Sequence, residues 1–224
     1  MNVWAIVPVK PLNRAKSRLA AALSPEAREH LAGAMLVHTL SAVQASQAVS
    51  GVLVVSRDNR ALVLARKHGA RTVQESGAPE LNPSLERAGQ VIASWNAHAA
   101  LVLPADIPLL MAADVEALVK QGRYQQSVVI APDRLGMGTN ALLMRPPGLI
   151  PFLFGEDSFA RHVAAAEAAG AAVHVYRSER LMLDLDTPDD VALYIELCKK
   201  YGQEPLLNFA IENIFSVDVQ KERP

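Results

Sequence analysis

The sequence predicts an α/β fold with a mainly parallel sheet and helices on both faces. Short apolar runs alternate with helix-patterned stretches almost to the end of the chain, and the runs are apolar throughout, as in strands buried on both sides. At 224 residues, half of them hydrophobic, the chain can bury one sizeable core. No repeat, linker or composition shift precedes about residue 203, so a single domain over 1–202 with an appendage over 203–224 is the simplest division.

Each element has a local reason. "VWAIVPV" (3–9) reads as a buried strand and "PVKPLNRAKSRLA" (8–20) as the loop after it. Ser24 caps a helix over about 25–46, with Pro25 at the first position, where a missing N–H costs nothing, and Glu26 near the positive end of the dipole. "GVLVVS" (51–56) is the next strand, followed by amphipathic helices over about 58–68 and 84–96. "ALVLPA" (100–105) leads into a helix at 112–121, and "SVVIAP" (127–132) into a glycine-bearing segment and a helix at 158–169. "AAVHVY" (171–176) is the last strand, and Thr187 then caps a helix with Pro188 first and Asp189 and Asp190 in its opening turn. The final "EPLLNFAIENIFSVDVQKERP" carries apolar residues that are costly in water, which predicts packing on the domain or on a second copy in a homodimer.

Composition excludes several classes. With 22 basic and 23 acidic residues the net charge is −1, so no overall field draws nucleic acid or anionic membrane, and any anion must be held locally. The few aromatics are too scattered for a base-stacking platform. The opening "MNVWAIVPVKP" lacks the basic start and long apolar stretch of a signal peptide, and no apolar run reaches membrane-spanning length; a cytoplasmic protein is expected. Cys198, the one cysteine, reads as a buried structural thiol, so neither an intrachain disulfide nor a thiolate metal cluster is expected.

In an open α/β sheet, ligands collect beyond the carboxyl ends of the strands, and three polar segments should meet there. The loop after the first strand holds Lys10, Arg14, Lys16 and Arg18, which suits wrapping a polyphosphate; it lacks both the P-loop and the dinucleotide-fold glycine spacing. "LVLPADIPLL" ends a strand in Asp106 between two stiffening prolines. "GMGTNALL" and "FGEDSFARH" offer Gly136, Gly138 and Gly155 for close backbone approach, the hydroxyls of Thr139 and Ser158, and free N–H groups at a helix start; Glu156 and Asp157 must turn away from an anion. His162 reads as a surface or supporting residue rather than a base.

The stretch "LDLDTPDD" (183–190) adds a question of charge. Capping explains Asp189 and Asp190, but Asp184 and Asp186 precede the cap, alternate with Leu183 and Leu185, and so point the same way from an extended segment. Two carboxylates on one face require positive charge between them. A divalent cation answers economically, and with Asp106 the three oxygen donors suit Mg²⁺ completed by phosphate oxygens and water.

Together "VPVKPLNRAKSRLA", "LVLPADIPLL", "GTNALL", "FGEDSFARH" and "LDLDTPDD", in this order over about residues 3–200, closely resemble the 2-phospho-L-lactate and phosphoenolpyruvate guanylyltransferase family, which serves biosynthesis of a redox deazaflavin coenzyme. The resemblance implies a single Rossmann-like nucleotidyltransferase domain related to the nucleotide-sugar enzymes, condensing GTP with a phosphorylated three-carbon acid and releasing pyrophosphate. It implies Asp106, Asp184 and Asp186 as ligands of Mg²⁺, Thr139, Gly155 and Ser158 as contacts to the acid, and a nucleotide loop from Pro8 and Val9 through Lys10, Arg14, Lys16 and Arg18. "ELNPSLERA" (80–88) also resembles a family segment near the nucleotide, making Asn82 and Ser84 base or ribose contacts, with Glu80 where glycine is expected. The tail lies outside the resemblance. The product, a reactive mixed diphosphate, suits hand-over to a downstream transferase. Open alternatives are another nucleotidyltransferase or a glycosyltransferase acting on a sugar phosphate or nucleotide sugar, since "DLD" is a literal D-x-D, and a non-catalytic nucleotide-binding module.

Overall fold

A computed structural model describes residues 1–76 and 80–206. Its centre is a seven-stranded sheet made of β1 (Val3–Val9), β2 (Gly51–Ser56), β3 (Arg71–Gln74), β4 (Ala99–Val102), β5 (Ser127–Pro132), β6 (Thr139–Arg145) and β7 (Ala172–Val175), in the order β3-β2-β1-β4-β6-β5-β7. All pairings are parallel except those of β6, which runs antiparallel to both β4 and β5. The helices are α1 (Pro25–Ala45), α2 (Asn59–Lys67), α3 (Leu81–Ser94), α4 (Ala112–Gln121), α5 (Ser158–Ala168), the single turn α6 (Glu179–Met182) and α7 (Pro188–Tyr201).

Strand alternation divides the core into two layers. Val3, Ala5 and Val7 of β1, Ala99 and Leu101 of β4, and Ala141 and Leu143 of β6 face α1, α2 and α4. Ile6, Ala100, Val102, Leu142 and Met144 face α3 and α5 from the opposite side. Burial on both faces is why these strands are apolar at every position. A third apolar cluster joins Leu19, Leu31, Met35, Leu109, Leu183 and Leu185 to α7 through Val191, Tyr194 and Cys198, and so fastens the basic loop and the 183–186 segment to the domain.

The two capped helices form as read: Ser24 accepts the Ala27 N–H, and Thr187 and Asp190 form a reciprocal box at the start of α7. Two strands were not expected. β3 is a short, half-exposed edge strand, and β6, with its apolar "ALLM" run, lies in the segment read only as glycine-bearing. The strand expected over 100–105 ends at Val102, because Pro104 cannot donate to the ladder. Most of the appendage over 203–224 lies outside the described residues.

One buried ion pair holds the approach to the 183–186 segment. Asp114 on α4 is fully buried and receives Arg180 Nε and Nη2 at 2.8 Å each, the Ser178 hydroxyl at 3.0 Å and the Met111 N–H at 3.2 Å. Removing one partner of such a pair strands the other's charge. Asp114→Ala should lower the unfolding free energy by about 3 kcal/mol in urea titration; a loss below about 1 kcal/mol would show that the network holds nothing.

Candidate active site

A cavity of about 560 Å³ opens beyond the carboxyl ends of β1 and β4, within the size range of ligand pockets. Its wall includes Pro8, Val9, Lys10, Lys16 and Arg18 of the basic loop, Asp106, Gly138, Thr139, Gly155, Ser158, Asp184 and Asp186. Segments nearly 180 residues apart meet there through simple contacts. The Leu185 N–H donates to the Asp106 carbonyl at 3.1 Å, while Leu183 and Leu185 turn into the core, so Asp184 and Asp186 turn toward Asp106.

Positive charge between carboxylates is supplied by the chain itself. Lys16 Nζ lies 3.2 Å from Asp106 Oδ2 and 2.8 Å from Asp186 Oδ1, with only 6% of its side chain exposed. Its backbone is left-handed, at φ 55°, between two short 3₁₀ turns, Leu12–Arg14 and Ser17–Leu19. Burial pulls the ammonium pKa down, but Asp106 and Asp186 more than offset it and leave it raised. Burial likewise works against the Asp186 carboxylate, and Lys16, Lys10 and Arg18 reverse the effect and hold its pKa low. Asp106, Asp184 and Asp186, expected as ligands of Mg²⁺, all line this one cavity. Among the described residues no group of three His, Cys, Asp or Glu side chains is arranged to hold a metal ion, and an ammonium bridges two of the three.

Asp184 is the exception. Its nearest polar partner is the Asn140 amide at 3.5 Å, no cationic side chain pairs with it among the described residues, and burial followed by the charges of Asp106 and Asp186 pushes its pKa up to about 6. Asn140, buried at the start of β6 and also bonded to the Leu181 carbonyl, is a site residue that the sequence reading missed.

Opposite the carboxylates, the segment before α5 is clamped from two sides. The Leu153 N–H donates to His162 Nε2 at 2.9 Å, and Asn82 exchanges two hydrogen bonds with the Phe154 backbone, at 2.9 and 3.0 Å. Gly155 has φ +124°, a conformation that side chains rarely adopt, and a Cβ at Gly138 would sit 2.7 Å from Asp133 Oδ2 and displace that carboxylate. The Ser158 and Phe159 N–H groups are already bonded to the Gly155 and Met137 carbonyls, so the hydroxyls of Ser158 and Thr139, rather than those two N–H groups, are left for an anion. Glu156 and Asp157 lie outside the wall, as the charge argument requires.

Two further expectations need revision. Arg14 is exposed and does not line the cavity. Asn82 spends its amide on the Phe154 backbone, and Ser84 is buried in α3 against Arg87; neither reaches the wall, so both support the site instead of contacting a base or ribose. Of the two places read for His162, the surface and a supporting position, burial against Thr139 and Leu153 leaves the second. Arg57, placed just after β2 as Lys10 is just after β1, joins the wall unanticipated.

The profile of a family described as "Guanylyl transferase CofC like" matches residues 3–220. The chain belongs to this family. The match takes in most of the tail expected to fall outside it. Similar curated proteins include the "Phosphoenolpyruvate guanylyltransferase" of Rubrobacter xylanophilus, 43% identical over 86% of this chain and 93% of that protein, and that of Roseiflexus sp., 44% identical over 85% and 84%. The "2-phospho-L-lactate guanylyltransferase" of Methanothermobacter thermautotrophicus is 38% identical over 85% and 83%. Among solved structures, a nucleotidyl transferase from a Methanothermobacter superposes with a TM-score of 0.69 at 15% identity, covering 89% of this chain and 99% of that one. CMP:2-keto-3-deoxy-manno-octonic acid synthetase superposes at 0.61 and 14% identity, covering 90% and 100%. These last two likenesses concern the fold, and they agree with the Rossmann-like nucleotidyltransferase domain expected. This guanylyl transferase family member is an enzyme, a nucleotidyltransferase. No helix among its described residues is long and apolar enough to cross a membrane.

Proposed function

We propose that the protein joins GTP to phosphoenolpyruvate, releasing pyrophosphate, as a step toward a deazaflavin coenzyme. The observation that carries the reading is the meeting of a cationic loop, a carboxylate set and a hydroxyl pair in one cavity. The curated relatives named for phosphoenolpyruvate, at 37–44% identity, favour that acid over 2-phospho-L-lactate.

A phosphate oxygen of the acid attacks the α-phosphorus of GTP; the new P–O bond forms as the bond to the β-phosphate oxygen breaks, and pyrophosphate leaves. The nucleophile is ionised near neutral pH, so no side chain has to remove a proton. Lys10 and Arg18 face the cavity and offset charge on the triphosphate, while Lys16 holds Asp106 and Asp186 in place. Thr139, Gly155 and Ser158 receive the acid on the opposite wall. The donor set fits one Mg²⁺: Asp184, buried without a cationic partner, and Asp106 beside it are hard oxygen donors, and this ion takes one or two carboxylates with phosphate oxygens and water. When bound, it would neutralise charge between the two anionic reactants. Asp106 and Asp186 each give one oxygen to Lys16 and keep the other, so either could join Asp184 as a ligand.

The test is pyrophosphate release from GTP with Mg²⁺ and, separately, phosphoenolpyruvate, 2-phospho-L-lactate and 3-phosphoglycerate, with ATP and CTP as nucleotide controls. The downstream transferase is added in parallel to remove product. Release with GTP and phosphoenolpyruvate is expected. Release with another acid alone would correct the substrate, and silence with all three from folded protein would overturn the reading.

A further inference from the structure

His162 is fully buried on α5, and its two ring nitrogens face different groups. Nε2 receives the Leu153 N–H at 2.9 Å, and a backbone amide can only donate. Nε2 must therefore carry its lone pair, and the ring proton of the neutral imidazole sits on Nδ1. That nitrogen lies 3.0 Å from Thr139 Oγ1, with the Ser158 carbonyl also facing the ring. Whichever oxygen takes the larger share of the Nδ1–H, Nδ1 has no lone pair to offer, so the Thr139 hydroxyl proton cannot be given to His162. Among the described residues Thr139 Oγ1 has no other hydrogen-bond partner, and Thr139 lines the cavity.

We propose that His162 is a positioning residue which, locked as the Nδ1–H tautomer by the Leu153 N–H, turns the Thr139 hydroxyl proton into the cavity as an obligate donor to an anionic oxygen of the phospho-acid. The inference rests on the guanylyl-transfer reading for the identity of that oxygen. Burial, then the charge of Arg161, lowers the His162 pKa to about 4 against the opposing pull of the Ser158 carbonyl, so the ring is neutral near pH 7 and the device is in place at working pH. Phe154 packs edge-on against the ring, with centroids 4.9 Å apart, and helps hold its orientation. A hydroxyl with its proton aimed outward favours a carboxylate or phosphate oxygen over a donor group, which is a selectivity a plain threonine lacks.

Two substitutions separate the ring's two bonds. In His162→Gln the amide oxygen can still accept from Leu153 while the donor to Thr139 is lost; in His162→Asn the amide nitrogen can still donate to Thr139 while Leu153 loses its acceptor. His162→Gln should raise the acid's KM about tenfold with the GTP KM unchanged. His162→Asn should lower the Tm and raise the acid's KM less than His162→Gln does. Thr139→Val should match His162→Gln, and the double variant His162→Gln/Thr139→Val should be no worse than Thr139→Val alone, since both remove one hydrogen bond. An unchanged acid KM in His162→Gln, or effects that multiply in the double variant, would overturn the proposal. Long-range ¹⁵N correlation of the imidazole in wild-type protein reads the tautomer without turnover: Nδ1–H at pH 7 is expected, and Nε2–H or an imidazolium overturns the proposal even if every variant misfolds. Silence of the wild type with all three acids would instead overturn the guanylyl-transfer reading, and with it the acid as the partner of Thr139.

Discussion

Asp184→Asn makes the metal-free protein more stable at pH 7 and removes turnover. Burial, with the charges of Asp106 and Asp186, raises this carboxyl to about 6 from an ordinary value of 3.8, so the fold favours its protonated form. Stability from this group is present at acid pH, declines as pH rises between the two values, and is gone above about 6. In chelator, the wild-type Tm should therefore rise as pH falls from 7 toward 5, and an amide, uncharged throughout, should abolish that dependence and lift the pH 7 midpoint by about 2–4 °C. Pyrophosphate release should fall by about a thousandfold or more, because the only carboxylate of the three without a cationic partner is gone. Calorimetry across pH together with the release assay checks both halves. Full activity in Asp184→Asn would remove this residue from the cation site, and an unchanged pH profile would remove the charge argument.

Lys16→Met fails in the opposite direction, losing both stability and turnover. The thioether approximates the length of the lysine stem but leaves Asp106 and Asp186 facing each other without the ammonium that lies within 3.2 Å of both. Breaking a fully buried pair costs about 3–5 kcal/mol, and because these carboxylates are 35% and 39% exposed the expected cost is nearer 1–2 kcal/mol. Loss of the Lys16 charge should also appear as a higher pKa for Asp186. Turnover should fall by about 10²–10³, the scale of losing one positioned charge from a phosphoryl-transfer site. Carboxyl NMR titration and the release assay test it. A variant with wild-type stability and rate would show that Lys16 is a passive neighbour.

The two predictions turn on a point the sequence left ambiguous. Alternation in "LDLD" required positive charge between Asp184 and Asp186; a cation meets Asp186 alone, bridging it to Asp106, and leaves Asp184 without one. Which positive charge meets it was beyond sequence reading, because a lysine 170 positions earlier comes into contact only through the Leu185–Asp106 backbone bond and the left-handed turn at Lys16. The same limit explains Asn82 and Ser84. Their place at the start of a helix was readable, but which way an amide on that helix would turn depends on the Phe154 backbone 72 residues away.

Local chemistry was enough for much else. Ser24 and Thr187 cap their helices because a side-chain oxygen three residues before a free N–H satisfies it regardless of the rest of the chain. Uniformly apolar runs identified β1, β2 and β5 because burial on both faces leaves no position for a polar side chain. β3 escaped because an edge strand exposes half its residues, and β6 because the glycines and hydroxyls at its start mark the segment as polar.

By itself, then, the sequence determined the layered α/β architecture, the family, and the segments that supply the site, since strand burial, caps and motif order are properties of neighbouring residues. Only the tertiary structure decided the pairing within the site: Lys16 between two aspartates, Asp184 left without a cation, and His162 buried with Nδ1 against the Thr139 hydroxyl. Those are contacts between residues distant in the chain, and their geometry and protonation depend on which groups the packed fold excludes from water.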